Sequence, residues 1–125
     1  MVFDTRLTAM FGIEQPLVLA PMPRHAGAGL ATAVCRAGGL GAFGAWPAFG
    51  IDEQYVRDTI AAIRRETDRP FGAGFLTHDL ARSRGHLDAA LDEQVPAVLL
   101  SFDDPSPWVP LIHDAGARVL CQIQS

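Results

Sequence analysis

The residues best placed for chemistry stand where apolar runs stop. Pro16-Leu17-Val18-Leu19 is delivered into Ala20-Pro21-Met22, followed by Arg24, His25 and the Gly-rich stretch Gly27-Ala28-Gly29. An apolar strand that ends abruptly in Pro, then Gly and a helix, places ligand-binding backbone at the carboxyl edge of a parallel sheet. His25 beside Arg24 is a candidate for touching a substrate or an anion. Gln122 and Gln124 lie two apart on one apolar strand, hence on one face, and buried amides there demand hydrogen-bond partners. The alternative for this pair is a frayed chain end with both amides in water. Asp103-Asp104 could be paired acid/base carboxylates, but Pro105 behind them favours a turn in which Asp side chains bond their own backbone. Ser101 has no base near it in sequence, so it is not assigned as a nucleophile. Four histidines show no Cys or carboxylate partner at metal-ligand spacing, and no metal site is expected.

The elements that must position these residues recur roughly every 25 residues, the pace of repeated βα units. Asp4 and Thr5 can cap a short helix through Leu7, Met10 and Phe11, stopped by Gly12. After the strand ending at Ala20, a helix over 27–37 with Leu30, Val34 and Ala37 inward closes at Gly38-Gly39, and a small-residue strand follows over 40–44. Asp52 caps a longer helix with Tyr55, Val56, Thr59, Ile60 and Ile63 on one stripe. Strands are expected at 71–76, 96–102 and 118–123, with a helix over 82–94 between the first two. Pro105 and Pro107 are expected to start a helix with Trp108, Leu111, Ile112 and Ala115 inward. His86 and His113 fall on helices as surface residues.

Composition narrows the function class. Hydrophobic residues make up 49% of the 125 residues, enough for a sheet covered on both faces, with no run long and apolar enough to span a bilayer. The net charge of −4 comes without any basic cluster to track a phosphate backbone, so nucleic acid is not an expected partner. The amino terminus lacks the features of a secretory signal, and Cys35 and Cys121 each sit in an apolar segment as expected for reduced thiols. A cytoplasmic protein is the expectation. A closed (β/α)8 barrel needs about 250 residues, so about five βα units fit either a doubly wound sheet or part of a barrel. Gly41, Gly44, Gly72 and Gly74 within the early strands favour the latter, because they let a ligand or backbone approach closely.

Six segments in register carry a resemblance: Thr5-Arg6-Leu7-Thr8, Pro16 to Met22, Ala37-Gly38-Gly39-Leu40-Gly41, Arg69-Pro70-Phe71-Gly72, Val95-Pro96-Ala97-Val98 and Gly116 to Gln122. Together they resemble the nitronate monooxygenases, formerly 2-nitropropane dioxygenases, over the whole chain. The resemblance implies an α/β fold, an incomplete (β/α)8 TIM barrel in which residues 1–125 are the N-terminal part of an FMN-binding domain. It implies oxidation of alkyl nitronates with molecular oxygen. Ala20, Pro21 and Met22 match the family's first flavin contact, where a preformed turn gives a planar ring a wall at little ordering cost. Gly74 stands where many members carry Asn, and would offer the flavin only its backbone. Gln122 and Gln124 match a strand end that approaches the flavin.

The family's catalytic histidine follows a sixth strand in a Gly-Gly-His context, and its main phosphate-binding loops follow strands seven and eight. No catalytic residue is therefore expected within this chain, and the expectation is little or no turnover by it alone. Open sheet edges would favour self-association or a complementing chain. Two rivals remain at this point: a doubly wound module that binds a nucleotide or phosphate without redox chemistry, and a non-catalytic remnant of a truncated reading frame.

Overall fold

The computed structural model describes residues 3–123. The chain begins with a one-and-a-half-turn helix, α1 (Arg6–Phe11), closed at both ends by its own sequence. Thr5 Oγ1 accepts from Thr8 N at 3.1 Å while Thr8 Oγ1 accepts from Thr5 N at 2.9 Å, a reciprocal cap. Gly12 ends the helix at φ 68°, a left-handed conformation that costs glycine little.

Four parallel strands follow, β1 (Gly41–Gly44), β2 (Phe71–Leu76), β3 (Ala97–Ser101) and β4 (Arg118–Gln122), hydrogen-bonded in sequence order. The expected first strand survives as a single parallel bridge, Val18 to Leu40, flanked by Leu19 N to Leu40 O and Leu40 N to Leu17 O, each 2.9 Å. Pro16 and Pro21 bracket that segment and have no N–H to donate, which limits its ladder to the residues between them. With that bridge on the outside of β1, five parallel strand segments joined by four helices run in strictly sequential order. A doubly wound sheet would place its second strand outside its first, and this sheet does not. The architecture is α/β, an incomplete (β/α)8 barrel.

The helices α2 (Ala28–Arg36), α3 (Glu53–Glu66), α4 (Arg84–Asp92) and α5 (Val109–Asp114) alternate with the strands. One sheet face meets them through Phe43, Phe71, Phe75, Val98 and Leu100, which with Val56, Ile60, Ile63 and Leu87 form the main core. On the other face Leu40 and Ala97 pack with Phe11 and Ile13, so α1 and its exit plug that side. The predicted stripe of α3 is buried at Val56, Thr59, Ile60 and Ile63, with Tyr55 half-buried. Asp52 caps α3 by accepting Tyr55 N at 2.8 Å. Removing that acceptor exposes an orphan amide, so Asp52→Ala is expected to lower the unfolding free energy by about 1 kcal/mol, measured by urea denaturation.

Two helices differ from expectation. The buried face of α2 is Ala31, Thr32 and Cys35, whereas Leu30 and Ala37 are exposed. The cause is close packing on β1, since a Cβ on Gly41 would lie 2.1 Å from Ala31 O and 2.7 Å from Cys35 Sγ. Only small side chains fit between helix and strand there, which rotates the larger Leu30 out. The helix expected from Pro105 begins at Val109, after a turn in which Trp108 N bonds Pro105 O at 2.9 Å. The proline within its first turn is Pro110, and Ala115 is exposed rather than inward.

Candidate ligand site at the carboxyl strand ends

The carboxyl ends of β3 and β4 stand in register, Leu99 beside Leu120 and Ser101 beside Gln122. Because side chains alternate, these four share the face turned away from the helices. The first-strand exit crosses toward them. Ala20 and Pro21, with Leu99, Ser101, Leu120 and Gln122, line a cavity of about 290 Å³, which Leu100 and Cys121 also reach. Three residues singled out from sequence, Ala20, Pro21 and Gln122, thus meet across about a hundred positions of chain. Leu99 and Leu120 were not singled out, and Ser101 was weighed only as a nucleophile. The two-residue alternation linking Leu99 to Ser101 and Leu120 to Gln122 was the available signal.

Gly74 explains why Pro21 sits where it does. A Cβ there would fall 2.2 Å from Pro21 Cβ and 2.3 Å from its Cγ, so the proline ring occupies the space a side chain would take. Pro23 lies in the same way over Gly44, with its ring 2.6 Å from a would-be Cβ. Glycines in β1 and β2 therefore seat the loop after Ala20 on the sheet. Gly74 is buried beneath Pro21 and does not line the cavity. Met22 is exposed, and its carbonyl accepts His25 N at 3.1 Å and Ala26 N at 2.7 Å, which closes the turn. His25 is exposed and outside the cavity lining. Gln124 lies outside the described residues.

The cavity is mainly apolar, with a hydroxyl, an amide and a thiol at its edges. Burial pushes the Cys121 thiol up from its ordinary range, so it stays protonated. Cys35 is a buried thiol whose Sγ donates to Pro70 O at 3.3 Å, and burial raises its pKa as well. Both are free. A neighbouring cavity of about 250 Å³ shares Cys121 and Gln122 and is walled by Thr77, Phe102 and Asp103. Thr77 Oγ1 is buried with no hydrogen-bond partner.

Phe102 and Asp103 take positive φ, 65° and 61°, which turns the chain sharply out of β3. Asp103 Oδ1 accepts Asp104 N at 2.8 Å and Asp104 Oδ1 accepts Ser106 N at 2.9 Å. Hydrogen bonds from Ser106 hold the Asp104 carboxyl below its usual range. Both carboxylates thus build the turn. His86, expected on the surface, bonds Ile51 O through Nε2 at 2.9 Å and ties α4 to the loop before α3. Among the described residues, no group of three or more His, Cys, Asp or Glu side chains could hold a metal ion, and no helix is long and apolar enough to cross a membrane.

A parallel βα arc with an apolar cavity at its carboxyl strand ends is the architecture of an α/β barrel. The family model for nitronate monooxygenase matches residues 4–95. A nitronate monooxygenase of Pseudomonas aeruginosa is 38% identical over 130 residues, covering 91% of this chain and 36% of its own length. One from Paraburkholderia phytofirmans is 35% identical over 88 residues, covering 70% of this chain and 22% of its own. The structure of FabK from Thermotoga maritima superposes with a TM-score of 0.88 at 26% identity, over 98% of this chain and 38% of that one. The chain belongs to the nitronate monooxygenase family and spans about a third or less of the length of these relatives.

Proposed function

We propose that residues 1–125 contribute the first part of an FMN site in a barrel that oxidises alkyl nitronates with molecular oxygen. The observation that carries this reading is the meeting of Ala20, Pro21, Ser101 and Gln122 around one apolar cavity. These residues fit a flavin ring. Pro21, Leu99 and Leu120 offer an apolar surface fixed by packing on Gly74 and the strand register, so little ordering is needed on binding. The Gln122 amide and Ser101 hydroxyl can each satisfy a polar ring edge, and Ala20 can do so through its backbone. Met22 and His25 follow Pro21 on the exposed loop and are outside the cavity lining. When bound, FMN would supply the electron acceptor for a nitronate and return those electrons to oxygen.

The cavity lining includes no side chain suited to take a proton at neutral pH, because the one titratable group, Cys121, is held in its thiol form. The described residues therefore bind and orient, and turnover by this chain alone is expected to be low. Along β4, Arg118 and Gln122 are exposed and the residues between them half-buried. Among the described residues β4 pairs only with β3, so its outer edge suits a further strand from a complementing chain or a second copy. Two free thiols and the soluble small-molecule chemistry accord with a cytoplasmic setting.

Equilibrium titration of FMN, NAD and ATP against the chain tests this reading. FMN is expected to bind at one equivalent and ahead of both nucleotides. Gln122→Leu is expected to weaken FMN roughly threefold to tenfold, the loss of one net hydrogen bond of about 1 kcal/mol. Tighter binding of NAD or ATP would favour a plain nucleotide module, and rapid nitronate-dependent oxygen uptake would contradict the low turnover.

A further inference from the structure

We infer that Arg24 is a substrate-binding residue, a fork held ready for a planar two-oxygen anion such as a nitronate or carboxylate. This rests on the flavin reading above, which it extends by naming the group that grips the substrate. Arg24 lies two residues beyond Met22, on the loop that leaves the cavity wall. Its guanidinium carbon sits 5.1 Å from the ring centroid of Phe49, which comes from the loop after β1.

Both members of this pair are non-glycine residues at positive φ, 72° for Arg24 and 55° for Phe49. Two strained residues from separate loops meet side chain to side chain at the sheet edge where ligands bind. Such strain persists only where the surroundings over-determine it, and it gathers at ligand clamps. Phe49 is 70% exposed, a poor position for a ring unless it serves as a platform. Stacking on its face orients the guanidinium while leaving the N–H edges open.

Six of the other nine arginines are committed, and among the described residues Arg6, Arg65 and Arg118 have no aromatic ring beneath them. Arg36, Arg57, Arg69, Arg82 and Arg84 pair with carboxylates, and Arg64 donates to the carbonyls of Glu93 and Gln94. Arg24 has no ion-pair or hydrogen-bond partner among the described residues. In a chain with a net charge of −4, a cation without a carboxylate partner, backed by an aromatic ring and three residues along the loop from the cavity-lining Pro21, is positioned to attract an anion. The ligand geometry follows from the donor. A guanidinium presents parallel N–H bonds that match two coplanar oxygens, as in a nitronate or its carboxylate isostere.

The test titrates propane-2-nitronate, isobutyrate and inorganic phosphate against the wild-type chain, Arg24→Ala and Arg24→Lys, with FMN affinity measured separately by flavin fluorescence. Arg24 is exposed, so both variants are expected to keep the wild-type circular dichroism. Arg24→Ala is expected to bind the nitronate and isobutyrate about tenfold more weakly, with Arg24→Lys recovering part of the loss and FMN affinity unchanged. A loss below about threefold, no binding of either planar anion by the wild type, or tighter binding of phosphate would overturn the assignment. If FMN does not bind but isobutyrate affinity still depends on Arg24, the flavin reading fails and the anion fork stands.

Discussion

Gly74→Ala is expected to destabilise the chain by about 2 kcal/mol and to weaken any ligand held in the neighbouring cavity. The added methyl would have to occupy space 2.2 Å from Pro21 Cβ. Strand β2 cannot retreat, because it is paired on both sides, with Gly44 and Leu99 level with Gly74. The movable partner is the Ala20–Met22 segment, which follows a single parallel bridge to the sheet among the described residues, Val18 to Leu40. Lifting Pro21 removes a cavity wall and breaks close packing, and overpacking of this kind costs about 1–3 kcal/mol. Urea denaturation with and without FMN reads both consequences. An effect within about 0.5 kcal/mol, the range of ordinary surface changes, would mean that Pro21 is not seated on Gly74.

Phe75→Ala should cost more, about 3–5 kcal/mol, and should do so without a specific effect on the cavity. Phe75 is 1% exposed and projects from β2 into the helix-side core with Ile60, Ile63 and Leu87. Deleting its ring loses the transfer free energy of a large apolar side chain and leaves a void that flanking strands and helices cannot fill. Against a typical domain stability of about 5–15 kcal/mol, that loss threatens folding itself. Thermal denaturation followed by circular dichroism would show it. A midpoint close to wild type would place Phe75 outside the core.

Much of this architecture is written in local signals. The Thr5 cap, the Gly12 stop and the Asp52 cap each act within a few residues, so type and spacing suffice to read them. Strands β1 to β4 are apolar runs bounded by Gly, Pro or polar turns, and they appear close to where those runs lie. What escaped sequence reasoning depends on distant partners. The inward face of α2 is set by how closely it approaches Gly41, and the start of α5 by the turn bonds of Asp103, Asp104 and Pro105. His86 gains its partner from the loop before α3, and the first strand shrinks to a bridge between two prolines.

The candidate site divides along the same line. Ala20 and Pro21 were visible because a strand ending in proline is a local pattern, and Gln122 because an amide is conspicuous on an apolar strand. Leu99, Ser101 and Leu120 look like ordinary strand residues until parallel register sets them beside that wall. The seating of Pro21 on Gly74 joins positions more than fifty residues apart in sequence, and only the fold brings them within contact.

The central claim is that the first-strand exit and the ends of β3 and β4 form one flavin-binding surface. Amide chemical-shift mapping during an FMN titration tests it most directly, since each residue reports its own surroundings. Shifts concentrated at Ala20, Met22, Ser101, Cys121 and Gln122, with Arg69 and Ala9 at the opposite strand ends unmoved, are the predicted result. Saturable FMN binding that shifts the Arg69 side and leaves Ala20, Ser101 and Gln122 unchanged would contradict it.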